Sequence, residues 1–137
     1  MLAMFAASAS VSFAGPGADL FGGAAPLRGT IDGHSNPLPP HAARCINCHA
    51  VGSAGPSGSA SASSFGPLLN PQRLTGLIAC RGGPPSRYDG SSFCRLLRQG
   101  VDPAWVMVPR SMPRYELTDA DCRALWLHLT SGEAARP

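Results

Sequence analysis

The sequence has 137 residues, which is enough for one small domain and too few for two. Its 16 glycines and 14 prolines stand against five Phe, two Trp and two Tyr, so a large aromatic core is excluded, although Gly plus Pro stay below the ~25–30% of low-complexity chains. Only 14% of residues are charged, which excludes a highly charged disordered chain. The net charge is +3 and the eleven arginines are scattered along the sequence, which argues against a nucleic-acid-binding protein. Something other than side chains is expected to fill the centre.

Residues 1–14 are typical of a secretory signal peptide. An apolar run without charge is followed by Ser12-Phe13-Ala14, a small-x-small cleavage pattern that predicts a mature start at Gly15. The first basic residue is Arg28, so this interpretation places the true start upstream; the alternative is an apolar tail. The run is shorter than the ~20 residues of a membrane span, and no transmembrane segment is predicted. Export would place the five cysteines in the periplasm, where disulfides persist.

Three further regions follow. Residues 15–37 are predicted to be an extended N-terminal segment, residues 38–131 the folded domain, and residues 132–137 a tail. Within the domain, residues 52–64 are almost entirely Gly, Ser, Ala and Pro, which predicts a flexible insertion.

Cys45-Ile46-Asn47-Cys48-His49 is a C-x-x-C-H pattern, the attachment signature of c-type haem. Two thiols three residues apart on a helical turn can add to the two vinyl groups of one haem, and the adjacent His then lies under the iron. The signature therefore predicts one covalently bound haem c.

A C-x-x-C pair has two other common uses. A thioredoxin-type redox pair expects a strand before the motif and a helix running on from it, whereas Pro39 and Pro40 suit a helix N-terminus. A zinc site needs a second ligand pair, and Cys80, Cys94 and Cys122 are single cysteines without such spacing.

An electron-transfer haem usually has a sixth ligand, and Met together with His raises the potential. Met112, followed by Pro113 in a turn-prone segment, is favoured over Met107, whose apolar neighbours indicate packing. His34, His41 and His128 are the other candidates, and His128 is expected to be a solvated residue at a helix end.

Three helices are predicted after the insertion. The first is capped by Asn70-Pro71 and runs towards Gly82, the second extends from an Asp89 cap through Gln99 to Gly100, and the third opens at Thr118. Cys122, Leu125, Trp126 and Leu129 form the apolar stripe of the third. No alternating strand is evident, so an all-α domain is expected.

From about Pro39 to Leu129 the chain resembles the class I monohaem cytochromes c. The resemblance is carried by C-I-N-C-H, by Gly66-Pro67-Leu68, by M-P-R-Y-E-L-T-D-A-D and by the aromatic-bearing last helix. It implies a small cytochrome c-like fold of three to four short helices around the haem, with thioether bonds to Cys45 and Cys48. His49 and Met112 would be the axial iron ligands, and the Pro67 carbonyl would accept the His49 Nδ1–H. It also implies that Trp126 packs where the last helix crosses the helix bearing the motif.

The chain departs from that family in its first helix, in the insertion and in its extra thiols. Gly33 and three prolines shorten the usual first helix to about two turns, which puts its crossing with the last helix in question. Cys94 and Cys122 either form a disulfide between two helices or remain separate buried thiols, and Cys80 is left over.

The leading functional hypothesis is a periplasmic one-electron carrier, not an enzyme. A periplasmic or membrane dehydrogenase would donate electrons, and an oxidase or another cytochrome would accept them. The alternatives are a haem subunit of a larger dehydrogenase complex, a haem sensor or enzyme with an open sixth position, and a disulfide-stapled binding module without haem. Arginines at 81, 87, 110 and 114 would contact the haem propionates, steer an acidic partner or remain solvated.

Overall fold

A computed structural model describes residues 15–52, 65–79 and 82–132. In these ranges the chain forms four α-helices: α1 (Pro16–Gly22), α2 (Pro71–Thr75), α3 (Gly90–Gln99) and α4 (Asp119–Thr130). A single 3₁₀ turn spans Cys45–Asn47. The predicted signal peptide, Cys80, Arg81 and all but the first residue of the predicted insertion lie outside these ranges, as does the tail beyond Gly132.

The prediction of an extended segment at 15–37 is wrong, because α1 lies within it. Pro16 at the first helical position presets the backbone, and Gly23 ends the helix in the left-handed conformation at φ 89°. Leu20 and Phe21 are buried in the core. The helix forms because this apolar face packs against the rest of the protein.

The first and last helices cross in close contact. At the crossing, Gly17 lies so near α4 that an added Cβ would overlap the Ala124 carbonyl and stand 2.6 Å from the His128 Cβ. Only the absence of a side chain allows this approach. The helix of about two turns expected between Gly33 and the motif is not formed; the helix that crosses α4 is α1, which lies well before the motif.

The expectation of no strands is also wrong in one place. β1 (Gly29–Thr30) pairs antiparallel with β2 (Arg114–Tyr115), and Gly29 stands opposite Tyr115. Two-residue strands carry too few positions for an alternating pattern to be visible in the sequence. The all-α description is therefore replaced by one of four short helices and a small two-stranded sheet within the described residues, joined by long stretches of turn and loop.

The predicted helix caps are confirmed. Side-chain oxygens of Asn70, Asp89 and Thr118 accept backbone N–H bonds in the first turns of α2, α3 and α4. The expected extension of α2 towards Gly82 is wrong, because Gly76 adopts an extended conformation directly after Thr75. The chain then forms a bridge from Ile78 to Ser86.

A disulfide joins α3 to α4. Cys94 and Cys122 are bonded, their Cα atoms are 5.4 Å apart, and both are buried. The core beside it contains residues from all four helices and from β2: Leu20, Phe21, Leu74, Phe93, Leu97, Tyr115, Leu125 and Leu129. Trp126 was expected to pack against the helix that bears the motif. Its ring instead packs against Phe93 of α3, with 5.4 Å between the ring centroids.

Within the ranges that the structure describes, no helix is long and apolar enough to cross a membrane.

Candidate functional site: the Cys45–His49 turn

The candidate site is built on one tight turn, Cys45–His49, here called the motif turn. The backbone N–H groups of Cys48 and His49 both donate to the Cys45 carbonyl, at 3.1 and 2.9 Å. Asn47 donates from its side chain to the His41 carbonyl at 2.8 Å, which anchors the turn to the preceding loop. The turn brings the two cysteines and His49 together, and neither cysteine is in a disulfide.

The ring of His49 is oriented by the segment that follows the insertion. His49 Nδ1 lies 2.9 Å from the Pro67 carbonyl oxygen, the contact implied by the family resemblance. Because a carbonyl can only accept, Nδ1 carries the proton and donates, which leaves the lone pair of Nε2 available to a metal.

Gly66 provides the space for that ring. A Cβ at Gly66 would overlap the His49 imidazole, and the Gly66 N–H donates to the Cys48 carbonyl at 2.7 Å. Farther along, Leu69 N–H donates to the Ala50 carbonyl at 2.9 Å. The segment 66–69 therefore runs beside the motif turn, and a glycine is required where it meets the ring.

Burial sets the protonation states at the turn. It lowers the pKa of His49, although the bond to Pro67 acts in the opposite direction, and so favours the neutral imidazole that a metal needs. Burial likewise raises the pKa of the Cys45 thiol to about 11, so this thiol remains protonated at neutral pH. Redox-active C-x-x-C pairs depend on a lowered thiol pKa, and Cys45 has the opposite property.

Met112 lies in a turn closed by its N–H, which donates to the Pro109 carbonyl at 3.1 Å. Its side chain is half-buried and packs against the core, as does that of Cys45. The Arg114 guanidinium donates to the Met112 carbonyl at 2.7 Å and fixes the backbone at this point. The thioether is thus held on a braced segment against the same core as the motif turn.

Met107 does not pack as predicted, because it is 53% exposed. It lies on a short hairpin in which Asp102, fully buried, accepts the Val106 N–H at 2.8 Å. Trp105 at the tip adopts a positive φ of 62°. The guanidinium carbon of Arg95 lies over the Trp105 ring, 3.9 Å from the ring centroid. The tight turn directs these apolar side chains outwards.

The other candidate ligands lie elsewhere. His34 and His41 are exposed. His128 is half-buried, with its ring 5.8 Å from that of Phe21, so the expectation of a solvated helix end is wrong. The α1–α4 crossing covers it. No three side chains among His, Cys, Asp and Glu converge as a metal site within the described residues.

The four flanking arginines differ in their environments. Arg114 is tied to backbone carbonyls, Arg110 is exposed and faces Asp32 at 3.4 Å, Arg87 is exposed, and Arg81 lies outside the described residues. Arg114 is therefore a structural residue.

Sequence reasoning missed two features of the site. Tyr115 donates from its hydroxyl to the Ala43 carbonyl at 2.9 Å, and its phenol lies beside the Cys45 side chain. Asn70, predicted only as a cap, also donates from its amide to the Gly52 carbonyl at 3.2 Å, shortly after the motif turn. Both contacts join residues that are far apart in the sequence, so no local pattern predicts them. The one sequence feature that could have pointed to the first contact is an aromatic residue three positions after Met112.

The donor set fits a covalently held haem. Two half-buried thiols and a neutral imidazole on one turn, together with a half-buried thioether, are the types of donor that covalent attachment and ligation of a haem require. Ile46 and Phe65, which adjoin Cys45 and Gly66, are exposed apolar side chains of the kind that a porphyrin covers.

Comparison with protein-family models, with curated proteins and with solved structures found no match to this chain.

Proposed function

We propose that this chain is a one-electron carrier with a single c-type haem. Cys45 and Cys48 would hold the haem by thioether bonds, and His49 and Met112 would ligate its iron. When bound, the haem supplies reversible one-electron chemistry at that iron. The observation that carries the proposal is the hydrogen bond from His49 Nδ1 to the Pro67 carbonyl, which orients the imidazole directly after the two thiols.

The chain's own residues have distinct tasks in this proposal. The Pro67 carbonyl fixes the His49 tautomer and raises the basicity of Nε2, while Gly66 keeps the ring face clear. Met112 would be the second iron ligand, which would leave no open position for a substrate. Electron transfer then needs only docking of a donor and an acceptor, for which a periplasmic or membrane dehydrogenase and an oxidase or second cytochrome are proposed.

A periplasmic location is part of the proposal. The leader-like residues 1–14 and the buried Cys94–Cys122 disulfide both suit an oxidising compartment. The raised pKa of Cys45 argues against the alternative of a redox-active dithiol.

The test is expression together with a haem-attachment system, followed by a reduced visible spectrum and an intact mass. We expect one haem per chain that survives denaturation, and loss of that covalent haem in the Cys45→Ala/Cys48→Ala double variant. The matched control is Cys94→Ala/Cys122→Ala, which also removes two cysteines and should retain the haem. A wild-type chain without covalent haem would refute the proposal.

Carbon monoxide separates a carrier from a sensor or enzyme with an open sixth position. With Met112 on the iron, the reduced wild type should bind carbon monoxide slowly and weakly, whereas Met112→Ala should bind it readily. Equal, fast binding by both proteins would favour the open-site alternative.

A further inference from the structure

Tyr115 joins two segments that are 72 residues apart in the chain. Its O–H donates to the Ala43 carbonyl at 2.9 Å, and both partners are buried, Ala43 with none of its surface exposed. Ala43 lies two residues before Cys45, at the entrance to the motif turn. A buried carbonyl that loses its donor incurs a free-energy cost, so this bond fixes how the two segments meet.

The tyrosine ring is also held from the side of the small sheet. Gly29 pairs with Tyr115, and a Cβ at Gly29 would stand 2.8 Å from the Tyr115 Cε1 atom. The phenol lies beside the Cys45 thiol, and its burial raises the pKa of Tyr115, so the hydroxyl stays protonated and remains a donor. The ring is therefore confined between β1 and the motif turn.

Only two residues separate Tyr115 from Met112. The intervening Arg114 donates to the carbonyls of Met112 and Val108, at 2.7 and 3.5 Å, which makes this stretch a braced unit. A displacement of Tyr115 therefore also moves the Met112 backbone.

We infer that Tyr115 is a positioning residue of the haem site: its hydroxyl holds the Met112 segment against the entrance of the motif turn and keeps Met112 on the iron. The inference rests on the proposed function and adds a residue that touches neither iron nor substrate. One buried hydrogen bond, from Tyr115 to Ala43, would then couple the position of Met112 to that of the motif turn.

The test is a titration of the ferric holoprotein with imidazole, which competes with Met112 for the sixth position, followed in the visible spectrum. Tyr115→Phe keeps the ring and removes the hydroxyl. We expect it to retain covalent haem and to bind imidazole roughly tenfold more tightly than the wild type, the factor that corresponds to one lost buried hydrogen bond. Gly29→Ala, which presses on the ring from the other side, should also bind imidazole more tightly.

Thr130→Val is the matched control, because Thr130 also donates a hydroxyl bond to a backbone carbonyl, that of Trp126, at 2.7 Å. It should lower thermal stability while leaving imidazole affinity within about twofold of the wild type. Tyr115 would be merely structural, and the inference overturned, if Tyr115→Phe lowered stability without changing imidazole affinity. Should Tyr115→Phe fail to accumulate as holoprotein, Gly29→Ala decides by the same criterion.

Met112→Ala distinguishes failure of this inference from failure of the proposed function. If Met112 is the axial ligand, this variant should bind imidazole far more tightly than the wild type. Equal affinity in the two proteins, or a wild type without haem, would remove the proposed axial ligation and the inference together. Tight binding by Met112→Ala alone would overturn only the role of Tyr115.

Discussion

At the scale of single residues, backbone atoms define the orientation of the His49 imidazole. The Pro67 carbonyl accepts from Nδ1, and the Cα of Gly66 lies where a larger residue would strike the ring. The sequence indicated the His49 and Pro67 pairing only through a family resemblance. The close approach of Gly66 depends on how two segments separated by the insertion meet, which no local pattern encodes.

Gly66→Ala tests this packing. The added methyl group overlaps the imidazole, so the ring or segment 66–69 must shift. We expect the free energy of unfolding, measured in urea, to be about 1–3 kcal/mol lower than that of the wild type. Gly90→Ala is the control, because its new Cβ would make an ordinary 3.7 Å contact with Trp126. Equal stability of the Gly66→Ala variant and the wild type would contradict the close contact.

At the scale of elements, the helix starts were predictable because capping is local. The Asp89 carboxylate accepts the Ser92 N–H at 2.7 Å, and the Ser92 hydroxyl oxygen accepts the Asp89 N–H at 2.9 Å. This capping box therefore lies within four consecutive residues. The early end of α2 was missed because apolar spacing continued through Leu77 and Ile78. Leu77 is in fact 61% exposed, and Ile78 belongs to a bridge.

Asp89→Ala should show the pH dependence of the α3 cap. Hydrogen bonds from Ser92 and Ser91 lower the pKa of Asp89 to about 2, below the value of about 3.9 in an unfolded chain. The carboxylate therefore stabilises the fold above pH 4, and this contribution is lost as the pH falls towards 2. We expect the variant to lose about 1 kcal/mol at pH 7 and the deficit to shrink at pH 2.5, measured by urea unfolding.

Asp89→Asn controls for titration, since its amide oxygen can cap the helix without ionising. Its stability relative to Asp89→Ala should vary little between pH 7 and pH 2.5. A deficit of Asp89→Ala that stayed constant over this range would show that ionisation of Asp89 does not contribute.

At the scale of the whole molecule, the architecture depends on contacts between distant parts of the chain. The pairing of β1 with β2, the bond from Tyr115 to Ala43 and the crossing of α1 with α4 all join such parts. Composition and periodicity describe one segment at a time, so they predicted helices without their partners. This is why the segment around α1 was predicted to be extended although it covers the core.

Gly17→Ala is the sharpest test of the α1–α4 crossing. Its methyl group would meet the Ala124 backbone, which cannot rotate away, so the helices must separate. We expect a loss of about 1–3 kcal/mol in the free energy of unfolding and reduced packing of Leu20 and Phe21. Gly22→Ala lies in the same helix with open space around its Cβ and should be neutral or slightly stabilising. Similar losses in both variants would point to helix propensity rather than to the crossing.

The crossing also determines when the fold can close. α1 and α4 are about 100 residues apart, so the contact of Gly17 with α4 cannot form until the last helix is present. If the chain is exported as proposed, an attaching enzyme on the far side of the membrane could reach Cys45 and Cys48 before α4 docks on α1. That docking would then close the core around whatever has been attached.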